Sequence, residues 1–448
     1  MQEVQSGRTR VQGSVLSIGR LGSGSADYYL RAVAGGAEDY YLRSSEEPGR
    51  WLGGGPEGLD LEGRVGGDDL RAVLDGRDPA DGSQLVRGPG GSSRRTPGFD
   101  LTFSAPKSVS LLGTLAPENA RASVADAHDC AVAAALTYLE RNAAFLRRGA
   151  NGIERVPATR PVAASFTHRS SRAGDPALHS HVLVANMAQD AEGRFGAIDG
   201  RAIYRHAKTA GYLYHAELRH RLTESLGLEF APPRSGASEI AGVPAEVIRA
   251  FSSRRAEIQL RLAERGESSP RAAEAAALDT RRAKDYGVSV ERLEADWRAR
   301  AAELGFGLRE IAGCLYRAVE REPERVEAER LLDELASPEG LTLNESSFTR
   351  REVVRTLAER SGPLAASAVG ELADRFLASG RVVLLGPRRE LDEARYTTPE
   401  LLATNASWSR ARAGARQRAP GWWTSGSSRP CSRPGLSCRP SRRRWCAA

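Results

Sequence analysis

The sequence predicts an α+β fold, and three observations carry that prediction. Residues 98–104 (GFDLTFS) and 179–186 (HSHVLVAN) alternate side chains with the period of two that marks strands. Residues 117–148 form a long alanine-rich run with an apolar face at helical spacing. Along the first 305 residues strands and helices are mixed rather than repeated as strand–helix–strand units.

Taken in order, residues 1–14 are polar and patternless, and VLSIGRL (15–21) reads as a short strand. A tyrosine-rich segment and glycine-rich loops follow. GFDLTFS is a strand that ends in a turn at Pro106. The helix of residues 117–148 comes next. VAASFTH (162–168) and HSHVLVAN are two strands flanking SSRAGDP, a cluster of turn residues, so they can pair as a hairpin. Residues 193–225 add a turn and a second helix, and LGLEFAPP (226–233) suggests a strand before a proline break. From Pro244, placed as a first-turn proline, to about residue 304 the chain is charged and helical. After a break near Gly305, residues 308–319 and 349–380 are helical, and RVVLLGP with ARYTTPELL can form a small hairpin.

Composition bounds the function. The chain has 448 residues and a net charge of +7, but residues 405–448 hold ten arginines and no Asp or Glu. Removing those ten from +7 leaves −3 for residues 1–404, so bulk charge gives no argument for nucleic acid. The same tail holds four of the six tryptophans and three of the five cysteines, is rich in Pro, Ser and Gly, and reads as disordered. Arg outnumbers Lys 61 to 3, as in a GC-rich coding sequence, and a shifted reading frame in such DNA would yield such a tail. The other reading is a basic nucleic-acid-binding arm. Only Cys130 and Cys314 lie in the body, both in helix-like segments, so no disulfide framework is expected. No stretch reaches the ~18 to 20 apolar residues of a membrane span, and a cytoplasmic protein is the expectation.

Three constellations carry chemistry. His168, His179 and His181 are three of only seven histidines. In a hairpin, His168 can lie beside His179 and His181 on one face, with Ser180, Val182 and Val184 on the other. Three imidazoles with open positions are the pattern of a catalytic metal site, and a hairpin that merely carries histidines is the alternative. Tyr28-Tyr29 and Tyr40-Tyr41 each sit in a DYYL. Tyrosine can attack a phosphodiester, or such pairs can staple packed elements together. Asp100 shares the polar face of its strand with Thr102 and Ser104, either for function or as an exposed edge charge.

In this order, FDLTFSAPKSVSLL, the H-x10-H-x-H array with DPALHSHVLVAN, and the tyrosine pairs after the first strand resemble the TrwC/TraI-type conjugative relaxases, the MobF class of the HUH endonucleases. PGRWLGGG, FSSRRAEI and DTRRAKD are similar as well, and the resemblance covers about residues 15–305. It implies a two-layer palm around an antiparallel sheet, with helical fingers closing over DNA. Tyr28 corresponds to the primary nucleophile and Tyr40 to that of the second strand transfer, with Tyr29 and Tyr41 as neighbours that can substitute. Asp100 corresponds to the acid that bonds a ligand histidine, and His168, His179 and His181 to the metal ligands. The implied metal is divalent, Mg2+ or Mn2+ with Zn2+ as the alternative. Lys107 is assigned to DNA binding. The implied partners are single-stranded or supercoiled plasmid DNA at a transfer origin, relaxosome accessory proteins and a type IV secretion coupling protein.

The expected organisation is an extension (1–14), a relaxase domain (15–305), a small, mostly helical remnant of the start of a helicase half (306–404) and the tail (405–448). None of the three lysines follows a glycine, so the chain lacks G-x4-G-K-[ST] and no ATPase or helicase activity is expected. Two rival functions stay open: a catalytically inactive DNA-binding remnant, and an unrelated three-histidine metallohydrolase.

Overall fold

The computed structural model describes residues 16–22, 49–52, 59–86, 95–149, 154–159, 161–171, 173–267, 290–317, 324–387 and 393–404, with a few single positions between 267 and 290. The two tyrosine pairs and the tail lie outside the described residues.

The elements run β1 (Leu16–Arg20), β2 (Arg50–Leu52), α1 (Gly67–Leu74), β3 (Gly98–Ser104), α2 (Lys107–Leu115), α3 (Glu118–Ala143), β4 (Phe145–Arg148) and β5 (Glu154–Pro157). Next come β6 (Ala163–Ser170), β7 (Pro176–Ala185), β8 (Ala188–Gln189), β9 (Phe195–Gly196), α4 (Gly200–Leu226), α5 (Ala245–Ala250), α6 (Ser253–Arg265) and α7 (Val290–Glu303). The chain continues with α8 (Leu308–Cys314), α9 (Glu324–Ala336), β10 (Phe348–Thr349), α10 (Arg350–Arg360), α11 (Ala366–Ala378), β11 (Val383–Gly386) and β12 (Arg395–Thr397).

The main sheet has the order β1-β3-β7-β6-β2, and every pairing in it is antiparallel. The fold is therefore α+β, as the alternation predicted. Each sheet face has its own core. Phe99, Leu101 and Phe103 of β3 and Leu178, Val182 and Val184 of β7 pack with α3 and α4 in the larger cluster. Leu183 and Ala185 point the other way, joining Trp51, Leu70 and Phe166 in a smaller cluster. The face that carries the histidines thus becomes apolar two residues after His181.

The larger cluster runs on through Leu331, Val353 and Phe376, so the helices after Gly305 share one core with the sheet. Residues through Pro399 form one compact unit. Buried Arg219 of α4 donates to the carbonyl of Ala358 on α10 at 2.8 Å. A second sheet, β10-β12-β11, contains the predicted hairpin as β11 and β12. The second unit begins at Glu400, and its described residues, 400–404, are helical through Thr404.

Several expectations need correction. The long helix stops at Ala143; Ala144 is extended (ψ 99°), and Phe145–Arg148 pairs with β5 as a strand. LGLEFAPP forms no strand but one isolated bridge, Phe230 to Ile240, because its two prolines have no N–H for a ladder. Pro244 is the residue before α5 rather than in its first turn. The helical stretch expected over residues 349–380 consists of two helices parted around Gly362-Pro363. Cys130 and Cys314 are free and helical, as expected.

Candidate metal centre

The hairpin register brings the histidines together. His168 on β6 lies opposite His179 on β7, and His181 lies between Phe166 of β6 and Thr102 of β3. Alternation along β7 puts His179 and His181 on the same face. The ring centroids of His168 and His179 are 5.1 Å apart, and each ring is 5.4 Å from His181. One nitrogen from each ring lies within 4.8 Å of the others. His168 is buried, while His179 and His181 are half-buried, so the cluster has a closed and an open side.

Hydrogen bonds fix the tautomers of two rings. His179 Nδ1 is 2.8 Å from the Ala177 carbonyl, which can only accept, so this nitrogen carries the proton. His181 Nδ1 is 3.0 Å from both oxygens of Asp100 and therefore donates to the carboxylate. The lone pair of each ring is then on Nε2, as a metal ligand requires. Thr102 Oγ1 lies 3.2 Å from the same Nδ1 and 3.4 Å from Asp100. Three imidazoles, one backed by a carboxylate, fit a divalent ion with open coordination positions. Asp100 is not an edge charge: β3 lies between β1 and β7, and Asp100 is only 9% exposed. Gly19 of β1 pairs with it.

Behind the cluster, Ser180 points to the other face. Its hydroxyl meets Thr167 Oγ1 at 2.7 Å and His128 Nε2 at 2.8 Å, and His128 Nδ1 meets the Tyr214 hydroxyl at 2.8 Å. Burial, with His179 nearby, lowers the His128 pKa to about 3, so the ring is neutral. His128 gave no signal in the sequence because its partners lie 52 and 86 residues away. Lys107 Nζ donates to the Pro176 carbonyl at the start of β7. Burial lowers its pKa, against the pull of Asp175 and Glu239.

Residues 22–304 match the family described as TrwC relaxase. The chain belongs to that family. Two proteins named multifunctional conjugation protein TraI, from Escherichia coli and its strain K12, are 38% and 37% identical to it over 271 residues. Those residues are 58% of this chain but 15% of either relative. Solved structures of the conjugative relaxase TrwC with oriT DNA cover 65% of this chain and 99% of their own. The metal-free complex is 32% identical with a TM-score of 0.55; the copper-bound complex is 31% identical with a TM-score of 0.58. A further TrwC complex holds a 27-mer DNA comprising the recognition hairpin and the cleavage site, at 31% identity and a TM-score of 0.56. In this relaxase fold the histidine hairpin is the centre of the sheet, and the cluster is the family member's candidate metal site. Among the described residues no helix is long and apolar enough to cross a membrane.

Proposed function

We propose that this chain nicks one DNA strand at the nic site of a transfer origin and holds the cut end as a 5′-phosphotyrosine. The observation that carries this reading is the three-imidazole cluster braced by Asp100, within a TrwC-family fold. His168, His179 and His181 would hold a divalent ion, proposed as Mg2+ or Mn2+ with Zn2+ next, which when bound would supply polarisation of the scissile phosphate and screening of its charge. Tyr28 supplies the nucleophile. A free phenol has a pKa of about 10, so its proton needs a base, and Asp100 serves both as that base and as the acceptor that orients His181. The Tyr28 Oη–P bond forms, the P–O3′ bond breaks, and the departing 3′ oxygen takes up a proton. Because the phosphotyrosine keeps the bond energy of the phosphodiester, a free 3′ hydroxyl can reverse the step without ATP. Tyr40 is assigned to the second transfer, with Tyr29 and Tyr41 as substitutes. Lys107 adds positive charge for the strand while holding the start of β7.

The substrate is single-stranded or supercoiled DNA at an origin in the cytoplasm, where accessory proteins and a secretion coupling protein are the expected partners. The test is a gel for a covalent adduct on oligonucleotides from the neighbouring transfer region. Tyr28→Phe abolishes the adduct, and EDTA stops nicking while DNA binding largely survives. Adduct at full yield in Tyr28→Phe, with loss only in a Tyr29, Tyr40 or Tyr41 variant, reassigns the nucleophile. Nicking undiminished by chelator removes the metal from the mechanism, and DNA binding with no metal-dependent nicking marks an inactive remnant.

A further inference from the structure

We propose that an arginine-walled pocket on the helical side of the sheet, away from the histidines, binds the phosphate of a nucleotide unit. The cavity has a volume of about 380 Å3, within the roughly 300–1,000 Å3 of small-ligand sites. Arg141 at the end of α3, Arg155 of β5, Arg205 of α4, and Arg350 and Arg351 of α10 face into it, against one carboxylate, Glu393. Arg350, Arg351 and Glu393 lie beyond residue 304, where the family match ends.

Charge compensation is incomplete. Arg155 has Asp199 at 3.2 Å, and Arg350 has both oxygens of Asp374, at 2.6 and 2.9 Å. Glu393 is engaged by His206 Nε2 at 2.8 Å and lies 3.9 Å from Arg351. The His206 ring meets the Tyr138 hydroxyl at Nδ1, 2.9 Å away. Both Glu393 oxygens are buried without a well-aligned hydrogen bond, so that carboxylate is held by its charged neighbours. Arg141 and Arg205 are exposed and, among the described residues, have no acidic partner. Two uncompensated guanidiniums in a concave wall concentrate positive potential, and their fork matches phosphate oxygens. The half-buried ring of Tyr396, also in the wall, offers a face on which a base can stack.

The phosphate can come from a single strand of DNA or from a free nucleotide, and the test separates them. Anisotropy of a fluorescein-labelled oligo(dT) without a nic sequence, read on the full chain, gives strand affinity and its salt dependence. Calorimetry with thymidine 5′-monophosphate gives nucleotide affinity. The probe needs no nicking, so failure of the proposed cleavage leaves this result intact. For strand binding, Arg141→Ala/Arg205→Ala weakens oligo(dT) at least tenfold and flattens the salt slope by ~0.7 for each phosphate no longer neutralised. Arg141→Lys/Arg205→Lys restores part of that affinity. For a free nucleotide, the double alanine variant fails to bind the monophosphate while oligo(dT) affinity is unchanged. Neither arginine side chain bridges to another element, so the fold, followed by thermal melting, persists. The proposal is overturned if the double alanine variant keeps the parent's oligo(dT) affinity and salt slope and also keeps the parent's behaviour toward the monophosphate.

Discussion

At the scale of single residues, the centre depends on what sits behind the metal-facing nitrogens. Asp100 meets His181 Nδ1 with both oxygens at 3.0 Å, which sets the ring's orientation and tautomer. Asp100→Ala removes both effects, and metal affinity should fall by about 10–100-fold, read by calorimetric titration with Mn2+. An affinity equal to that of the unsubstituted chain would make Asp100 a bystander at the centre. The shared face of the histidines was legible in the sequence because a strand's period of two converts residue spacing directly into a face, whereas the link of Asp100 to a histidine came from the family resemblance and not from its spacing. His128 was not, because only the packing of α3 against β7 brings it to Ser180.

At the scale of elements, the hairpin depends on a clamp distant in sequence. Its turn lies in SSRAGDP, where Gly174 adopts a φ of +77° that favours glycine. Asp175, 2% exposed, then accepts from the Ser253 N–H at the head of α6 at 2.8 Å and pairs with Arg300 of α7 at 3.3 Å. Trp297 Nε1 donates to the Gly174 carbonyl at 2.8 Å, and Arg300 stacks over Phe251 at 4.5 Å. Turn composition marked the turn but not these partners. The strand at Phe145–Arg148 was likewise hidden, because its apolar residues continue the helical pattern of α3 and only pairing with β5 decides its state. Asp175→Ala leaves the half-buried Ser253 N–H without its acceptor and removes the carboxylate from Arg300, which keeps the Ala250 carbonyl, a cost on the order of 1 kcal/mol. The urea midpoint should fall accordingly and metal binding should weaken with it. A variant whose midpoint and metal affinity both match the parent would show that the clamp does not hold the hairpin.

At the scale of the whole molecule, α4 is the axis on which the parts pack, and it buries charge-capable groups to do so. His215 on α4 is fully enclosed: burial above all, with Arg219 and His128 beside it, lowers its pKa to about 3. His128 is held near 3 in the same way. Burial brings Arg219 down to about 10, so it stays charged at neutral pH and satisfies the carbonyls of Gly236 and Ala358. Unfolding returns both histidines to an ordinary pKa of 6.5, so in the window between 6.5 and about 3 the unfolded chain binds protons that the folded chain refuses. Stability is therefore fully present above pH 6.5 and is lost as pH falls through that window. By pH 5 each histidine should have withdrawn on the order of 2 kcal/mol, at ~1.4 kcal/mol per pH unit. That figure requires only that the folded pKa lie well below 5. Urea unfolding at pH 7, 6 and 5 reads the effect, with the midpoint expected to drop at each step. His215→Leu keeps the apolar contacts of a ring that titrates only on unfolding, so it should reduce the drop between pH 7 and pH 5 by about half. A midpoint constant from pH 7 to 5, or an equal drop in His215→Leu, would mean that these rings are protonated inside the fold and that α4 does not carry the acid sensitivity.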